Sequence, residues 1–202
     1  RKLFDHFQPQ LLVGLTATPE RMDGKDLRPD FGNRISAEIR LPQALQAGLL
    51  TPFQYLCISD DTDLSDDSLW SGQKYNIERL ADKLCAKTRA RLIVDALHKY
   101  LADEYTCRAL CFCVNKRHAD FMAEQLRLYG FNAQSLTSDT PADERKQLAK
   151  DLREGTLHYL CVVDIFNEGV DIPEVDTVLF LRPTESLTIF LQQLGRGLRL
   201  SA

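Results

Sequence analysis

The chain has 202 residues, 44% hydrophobic and 27% charged, with 10 glycines and 8 prolines. That composition describes a globular chain long enough to bury a core without disulfides or metals. It holds no run of the roughly 18 apolar residues a membrane helix needs, and its formal charge of -4 excludes coating nucleic acid with bulk positive charge but leaves room for a local basic groove.

In chain order, Arg1 to Asp5 has no apolar stretch of the kind a signal peptide needs, so none is expected. Leu11 to Leu15 reads as a buried strand that empties into the loop Thr16-Ala17-Thr18-Pro19. After an aperiodic charged stretch, Ile35 to Leu41 predicts a strand. A short helix opened by Pro42 and stopped at Gly48 follows, then a strand over Phe53 to Ile58. Residues 59 to 67 are rich in Asp, but counting a calcium loop from Asp61 puts Asp66 and Gly72 where Gly and Glu are required. A solvated acidic loop is expected instead. From Ile77 to Leu101 apolar residues recur at helical spacing, which predicts either one long helix or two with a break near Thr88.

The remainder alternates. Ala109 to Val114, Ala133 to Leu136, Leu157 to Val163 and Val175 to Leu181 predict strands. Lys116 to Tyr129, Pro141 to Leu152 (capped by Thr140, stopped near Gly155) and Ser186 to Leu194 predict helices between and after them. Such alternation predicts an α/β fold with a parallel sheet, and chemistry in that fold gathers beyond the carboxyl ends of the strands.

Six cysteines and four histidines raise the question of a metal. Neither two CxxC pairs nor a Cys pair with a His pair is present, so no metal site is expected. Buried, reduced thiols and a cytoplasmic location are. His98, His118 and His158 need no role, and Trp70 reads as a local packing anchor. Basic residues such as Lys87, Arg89 and Arg91 read as solvated helix faces. Asn115-Lys116-Arg117 is the exception, since it opens a helix at a strand's carboxyl end, where phosphate binding is favoured.

Three loops hold polar residues that a core would not need. The first is Thr16-Ala17-Thr18-Pro19, and the second runs from Asp164 to Pro173. In the second, Gly169 allows close backbone approach and Asp171 is a carboxylate able to accept from a ribose hydroxyl or to cap a turn. The third is Gln192 to Arg199, where Gly195 and Gly197 free the backbone at a helix end. There Arg196 and Arg199 either converge on a polyanion or satisfy carbonyls at the helix end.

Asn167-Glu168-Gly169-Val170-Asp171-Ile172-Pro173 and Gln192-x-x-Gly195-Arg196-x-x-Arg199 resemble motifs V and VI of superfamily 2 helicases. Thr16-Ala17-Thr18 resembles motif III, Ala109 to Asn115 resembles motif IV, and Leu136-Thr137-Ser138-Asp139 through Arg145 to Gly155 resembles the stretch between motifs IV and V. Gly14 to Arg21 and Gly48 to Tyr55 look like the type III restriction-subunit-like branch of DEAD/DEAH-box proteins.

This resemblance implies a three-layer RecA-like domain of the P-loop NTPase type over residues 46–202, preceded over residues 1–45 by the tail of a first RecA-like domain and a linker. It implies that Arg196 and Arg199 are arginine fingers on the γ-phosphate of ATP, stabilising the phosphoryl-transfer transition state. Asp171 would hold the ribose, Gly169 would line the γ-phosphate side, and Gln192 would link the nucleotide to domain closure. Thr16 and Thr18 would couple hydrolysis to strand movement. Asn115, Arg117, Thr137 and Ser138 would contact the nucleic-acid backbone. Val163 stands where the family often has a phosphate-contacting Thr.

The sequence contains neither GxxxxGK[ST] nor an Asp-Glu-x-His/Asp tetrad. The implied reading is therefore the C-terminal part of an ATP-dependent helicase or translocase that uses ATP and Mg2+ in its full length and does not hydrolyse ATP alone. Its expected partners are nucleic acid, with DNA favoured over RNA, and a first RecA-like domain of the same protein; no membrane is expected. The competing reading is a non-catalytic RecA-like interaction module, against which the arginine pair argues.

Overall fold

A computed structural model describes residues 6–7, 10–16, 28–72, 74–163, 175–184 and 187–198. At its centre is a four-stranded, wholly parallel sheet of β3 (Ala109–Phe112), β4 (Ala133–Leu136), β5 (Tyr159–Val162) and β6 (Thr177–Phe180) in the order β4-β5-β3-β6. The strands β1 (Trp70–Ser71) and β2 (Lys74–Tyr75) form a separate small antiparallel hairpin. The central strands β3 and β5 are at most 1% exposed at every residue, as expected of apolar runs covered on both faces. Cys111 lies opposite Cys161, and Phe112 opposite both Val162 and Phe180.

Alternate residues of these strands build two cores. Ala109, Cys111, Tyr159 and Cys161 face α3 (Lys87–Tyr100) and α4 (Lys116–Leu128), meeting Val94, Leu97, Met122 and Leu126. Leu110, Phe112, Leu160 and Val162 face the other way, onto Leu148 and Leu152 of α5 (Ala142–Glu154). On that second face, Phe180 also meets the tilted ring of Phe190 of α6 (Leu187–Gly197), with centroids 5.0 Å apart. Helix, sheet and helix thus form the three layers expected. Truncating a fully buried leucine such as Leu160 to alanine costs roughly 2 to 5 kcal/mol in such a core.

Helix boundaries follow local chemistry. Asn76 accepts from the Arg79 amide to start α2 (Ile77–Leu84), and Asn115 accepts from the His118 amide to start α4. Gly155 ends α5 at a φ of 74°, a left-handed value that glycine adopts without the Cβ clash of other residues. Of the two alternatives for the long helical stripe, the structure shows two helices, with the break at Cys85 and Ala86, just ahead of Thr88. Thr140 does not cap α5. Pro141 occupies that position, and the Thr140 hydroxyl accepts from the Thr137 amide instead.

Three expected strands are absent. Residues 11 to 15, 35 to 40 and 53 to 58 pair with no described strand. Leu11 (79% exposed), Leu15 (96%), Ile39 (64%) and Tyr55 (59%) show that their apolar side chains find no described sheet to cover. The short helix α1 (Leu41–Gln46), with Pro42 in its first turn, forms between them as expected. Beyond it the chain returns to the domain, where the Thr51 amide donates to the Leu198 carbonyl at 3.0 Å and Tyr55 meets Phe190 edge-on.

The acidic loop is not simply solvated. Asp60 accepts from Arg89 Nε at 2.7 Å, Asp63 accepts from Ser65, and Asp66 caps the short 3-10 turn Asp67–Leu69. Burial pushes Asp60 up, but the Thr62 amide and the Arg89 guanidinium outweigh it and hold the carboxyl below its ordinary value. Arg89 is therefore a half-buried ion-pair residue and not part of a solvated face. Of the cysteines, Cys107, Cys111, Cys113 and Cys161 are buried as expected, whereas Cys57 is exposed on the unpaired segment. Trp70 stacks on Tyr75 at 4.1 Å, anchoring the hairpin.

Candidate functional site

In a parallel sheet all strand ends point one way, so the loops after β3 and β4 share one edge. The structure brings four of the expected site residues to it: Asn115, Arg117, Thr137 and Ser138. Asn115 is the N-cap of α4, and its Nδ2 donates to Glu78 Oε1 at 3.1 Å. Arg117 Nη2 donates to Asp82 Oδ1 at 2.6 Å, and this bond raises its pKa further above the ordinary arginine value. Between them Lys116 Nζ reaches Asp139 Oδ1 at 2.6 Å, which ties the start of α4 to the loop after β4.

That loop is closed by its own hydroxyls. Thr137 is buried, and its Oγ1 accepts from the Asp139 amide at 3.3 Å while its own amide donates to Thr140 Oγ1 at 3.0 Å. Ser138 is exposed at the tip. Arg145 holds the loop from below, donating through Nη2 to the Ser138 carbonyl and through Nε to the Thr140 carbonyl, both at 2.7 Å. The Thr137 hydroxyl thus shapes the loop, while Ser138 is the one presented outward.

Beneath this edge lies His118, 0% exposed. Its Nδ1 accepts from the Val114 amide at 3.2 Å, which places the ring proton of the neutral form on Nε2, a buried atom with no hydrogen-bond partner. Burial, with the Arg89 and Arg117 charges, pushes its pKa down to about 4. Arg89 Nη1 and Gln193 Oε1 are likewise buried without a partner.

A second group lies on α6. Gln192 and Arg196 are four residues apart, hence on one face of the helix, with Gln192 exposed and Arg196 half-buried. Gly195 and Gly197 do not unwind the helix end, because both are helical. Gly197 packs instead: a Cβ there would lie 2.9 Å from Val178 Cγ2. Thr16 is exposed, in a stretch with no helix or strand. Thr18, Gly169, Asp171 and Arg199 lie outside the described residues.

Sequence reasoning passed over Glu78 and Asp82 and gave no role to Asp139 and Arg145. Each is an ordinary charged surface residue by type, and only the packing of α2 against α4 and of α5 under the β4 loop gives it a partner. Among the described residues no three His, Cys, Asp or Glu side chains are grouped to hold a metal ion, and no helix is long and apolar enough to cross a membrane.

The family model described as "Helicase conserved C-terminal domain" matches residues 61–201. Among similar proteins, a 51.5 kDa protein of a Lactococcus phage (isolate 7-9) is 28% identical over 199 residues, covering 98% of this chain and 42% of its own. The protein named "Putative ATP-dependent helicase IRC3" of Saccharomyces cerevisiae is 28% identical over 207 residues, covering 99% of this chain and 30% of its own. The chain thus spans less than half the length of these two relatives. A solved structure of the E. coli DEAD-box protein SrmB bound to regulator of ribonuclease activity A is 27% identical, with a TM-score of 0.46. It covers 55% of this chain, and the match takes in 64% of that one.

Proposed function

This chain belongs to the helicase conserved C-terminal domain family, and from that premise we propose that it is the second RecA-like part of an ATP-dependent nucleic-acid helicase or translocase. In this reading residues 46–202 form that part, and residues 1–45 end a first RecA-like domain and link the two. The observation that carries it is the edge described above. Asn115, Lys116, Arg117 and Ser138 are gathered on one exposed rim at the carboxyl ends of β3 and β4, with the Ser138 loop fixed by Arg145. A preset rim of amide, ammonium, guanidinium and hydroxyl donors fits a sugar-phosphate backbone, which is recognised by such groups independently of base sequence.

The other half of the proposed mechanism is nucleotide closure. ATP and Mg2+ are held by the first RecA-like domain, and domain closure brings Arg196 and Arg199 onto the γ-phosphate, where their charge stabilises the transition state. Gln192, one turn before Arg196 on the same helix face, links the nucleotide site to that closure. Gly169 and Asp171 take the γ-phosphate side and the ribose, and Thr16 and Thr18 couple hydrolysis to movement along the strand. DNA is the partner we place first, from the likeness of Gly14 to Arg21 and Gly48 to Tyr55 to the type III restriction-subunit-like branch, in a cytoplasmic setting.

The test is nucleic-acid-stimulated ATPase of a protein that joins this chain to its ATP-holding domain, measured with single- and double-stranded DNA and RNA. Arg196→Ala or Arg199→Ala is expected to lower turnover by about 10³-fold while ATP affinity changes little. Equal turnover in variant and parent would refute the finger assignment.

A further inference from the structure

Three consecutive residues open α4, and each gives its donor to a carboxylate: Asn115 to Glu78, Lys116 to Asp139 and Arg117 to Asp82. Glu78 and Asp82 are four apart on α2 and so share one face. Arg117 Nη2 also approaches the Glu78 carbonyl at 3.4 Å, so the guanidinium lies along that face. The helix is held there by its other side, where Leu80 and Leu84 pack on Val114, the residue just before Asn115. The carboxylates are therefore presented to the α4 donors by a core contact and do not meet them by chance of a flexible loop.

The carboxylates occupy what a phosphate oxygen would need. The start of a helix of 13 residues carries unpaired amides and partial positive charge, and the side chains beside it here are an amide, an ammonium and a guanidinium. Both partners of the outer pair remain open to water, the Arg117 side chain 52% and the Asp82 side chain 63% exposed. Exposed pairs of this kind contribute little net stability and weaken with salt, so a polyanion that makes several contacts at once can displace them.

We infer that Glu78 and Asp82 act as an internal stand-in for nucleic-acid phosphate, holding Asn115 and Arg117 until a backbone phosphate displaces them. Binding at this edge is then a competition between nucleic acid and α2. The inference rests on the proposed role of Asn115 and Arg117 as backbone contacts, and it adds a residue pair that weakens binding where Asn115, Lys116, Arg117 and Ser138 strengthen it.

The experiment measures binding of the full chain to a fluorescently labelled single-stranded oligonucleotide, as DNA and as RNA, across about 50 to 200 mM salt. Glu78→Gln with Asp82→Asn is expected to bind about five-fold more tightly than the parent. Glu124→Gln with Glu154→Gln, which changes net charge equally at exposed sites elsewhere on α4 and α5, is expected to change affinity less than about two-fold. In an Arg117→Ala background the gain from the α2 pair should shrink, because only the Asn115–Glu78 contact is then left to release. Equal gains from the two charge-matched pairs, or an undiminished gain without Arg117, would overturn the inference. If Arg117→Ala weakens binding while the α2 pair does nothing, the nucleic-acid reading stands and the competition does not. If neither Arg117→Ala nor the α2 pair alters binding, or if parent and variants all fail to bind, the reading of the rim falls with it. Unchanged melting temperatures show that folding is not what moved.

Discussion

Gly197 of α6 lies so close to Val178 of β6 that a methyl group on its Cα would come within 2.9 Å of Val178 Cγ2. This contact sets how near α6, the helix bearing Gln192 and Arg196, approaches the edge strand of the sheet. Gly197→Ala is expected to cost about 1 to 3 kcal/mol, because the added methyl has to push Val178 or the helix aside. Val178→Ala should cost stability alone yet recover part of the loss when combined with Gly197→Ala. A double-mutant cycle by urea unfolding measures the coupling, and strict additivity would show that the two residues do not meet.

Arg145 is expected to matter to binding more than its place on α5 suggests. Its two donors hold the carbonyls of Ser138 and Thr140, and Arg145→Ala removes both bonds from the loop that presents Ser138. The stability cost should be about 1 to 2 kcal/mol for two hydrogen bonds from a charged donor at a partly exposed site. Nucleic-acid affinity of the full chain should drop by several-fold. Arg145→Lys should not restore it, since an ammonium lacks the planar fork that spans two carbonyls. Restoration by lysine would show that charge alone, and not the held loop, was at work.

His118 makes stability depend on pH. In the folded chain its pKa is pushed down to about 4, while the unfolded chain has the ordinary 6.5. Between those values the unfolded state binds a proton that the folded state refuses, so stability is complete above about 6.5 and is lost as pH falls toward 4. Each pH unit inside the window costs up to about 1.4 kcal/mol. His118→Gln should flatten this part of the curve while lowering stability at neutral pH. Parallel curves for parent and variant from pH 7 to pH 4 would show that the imidazole does not titrate with folding.

Asp60 separates a structural carboxylate from its solvated neighbours. Asp60→Asn leaves the half-buried Arg89 guanidinium without its ionic partner and should cost about 1 to 3 kcal/mol. Asp67→Asn, on an exposed side chain, should fall within about 0.5 kcal/mol of the parent. Thermal melts of the two variants side by side decide it, and equal melting temperatures would return Asp60 to the solvated class.

The parts of this fold that could be read from sequence are those whose cause is local. Four consecutive apolar residues at Ala109 and again at Tyr159 announce strands covered on both faces, Asn115 announces a helix start, and Gly155 a helix end. Residues 11 to 15, 35 to 41 and 53 to 58 carry strand-like patterns just as plainly, yet they form no described strand. A pattern of apolar residues states what would be buried but not what would bury it, and a ladder needs a neighbour supplied from elsewhere. The site divides the same way. Asn115 and Arg117 were visible because they open a helix at a strand's carboxyl end, and Ser138 through the family resemblance. Glu78, Asp82 and Arg145 were not, since their partners are set by how helices pack across the sheet edge. The glycines near Arg196 were visible as glycines, but close approach to Val178, and not a loosened helix end, is what the packing at Gly197 requires.

The hydrogen bond from the Thr51 amide to the Leu198 carbonyl is a clasp between the chain that leads into the sheet domain and the last turn of the helix that leaves it. The two must travel together or part. Parting uncovers the Leu198 carbonyl, next to Gly197 and its contact with Val178. Tension drawn along residues 49 to 51 therefore reaches the end of that helix across a single peptide group.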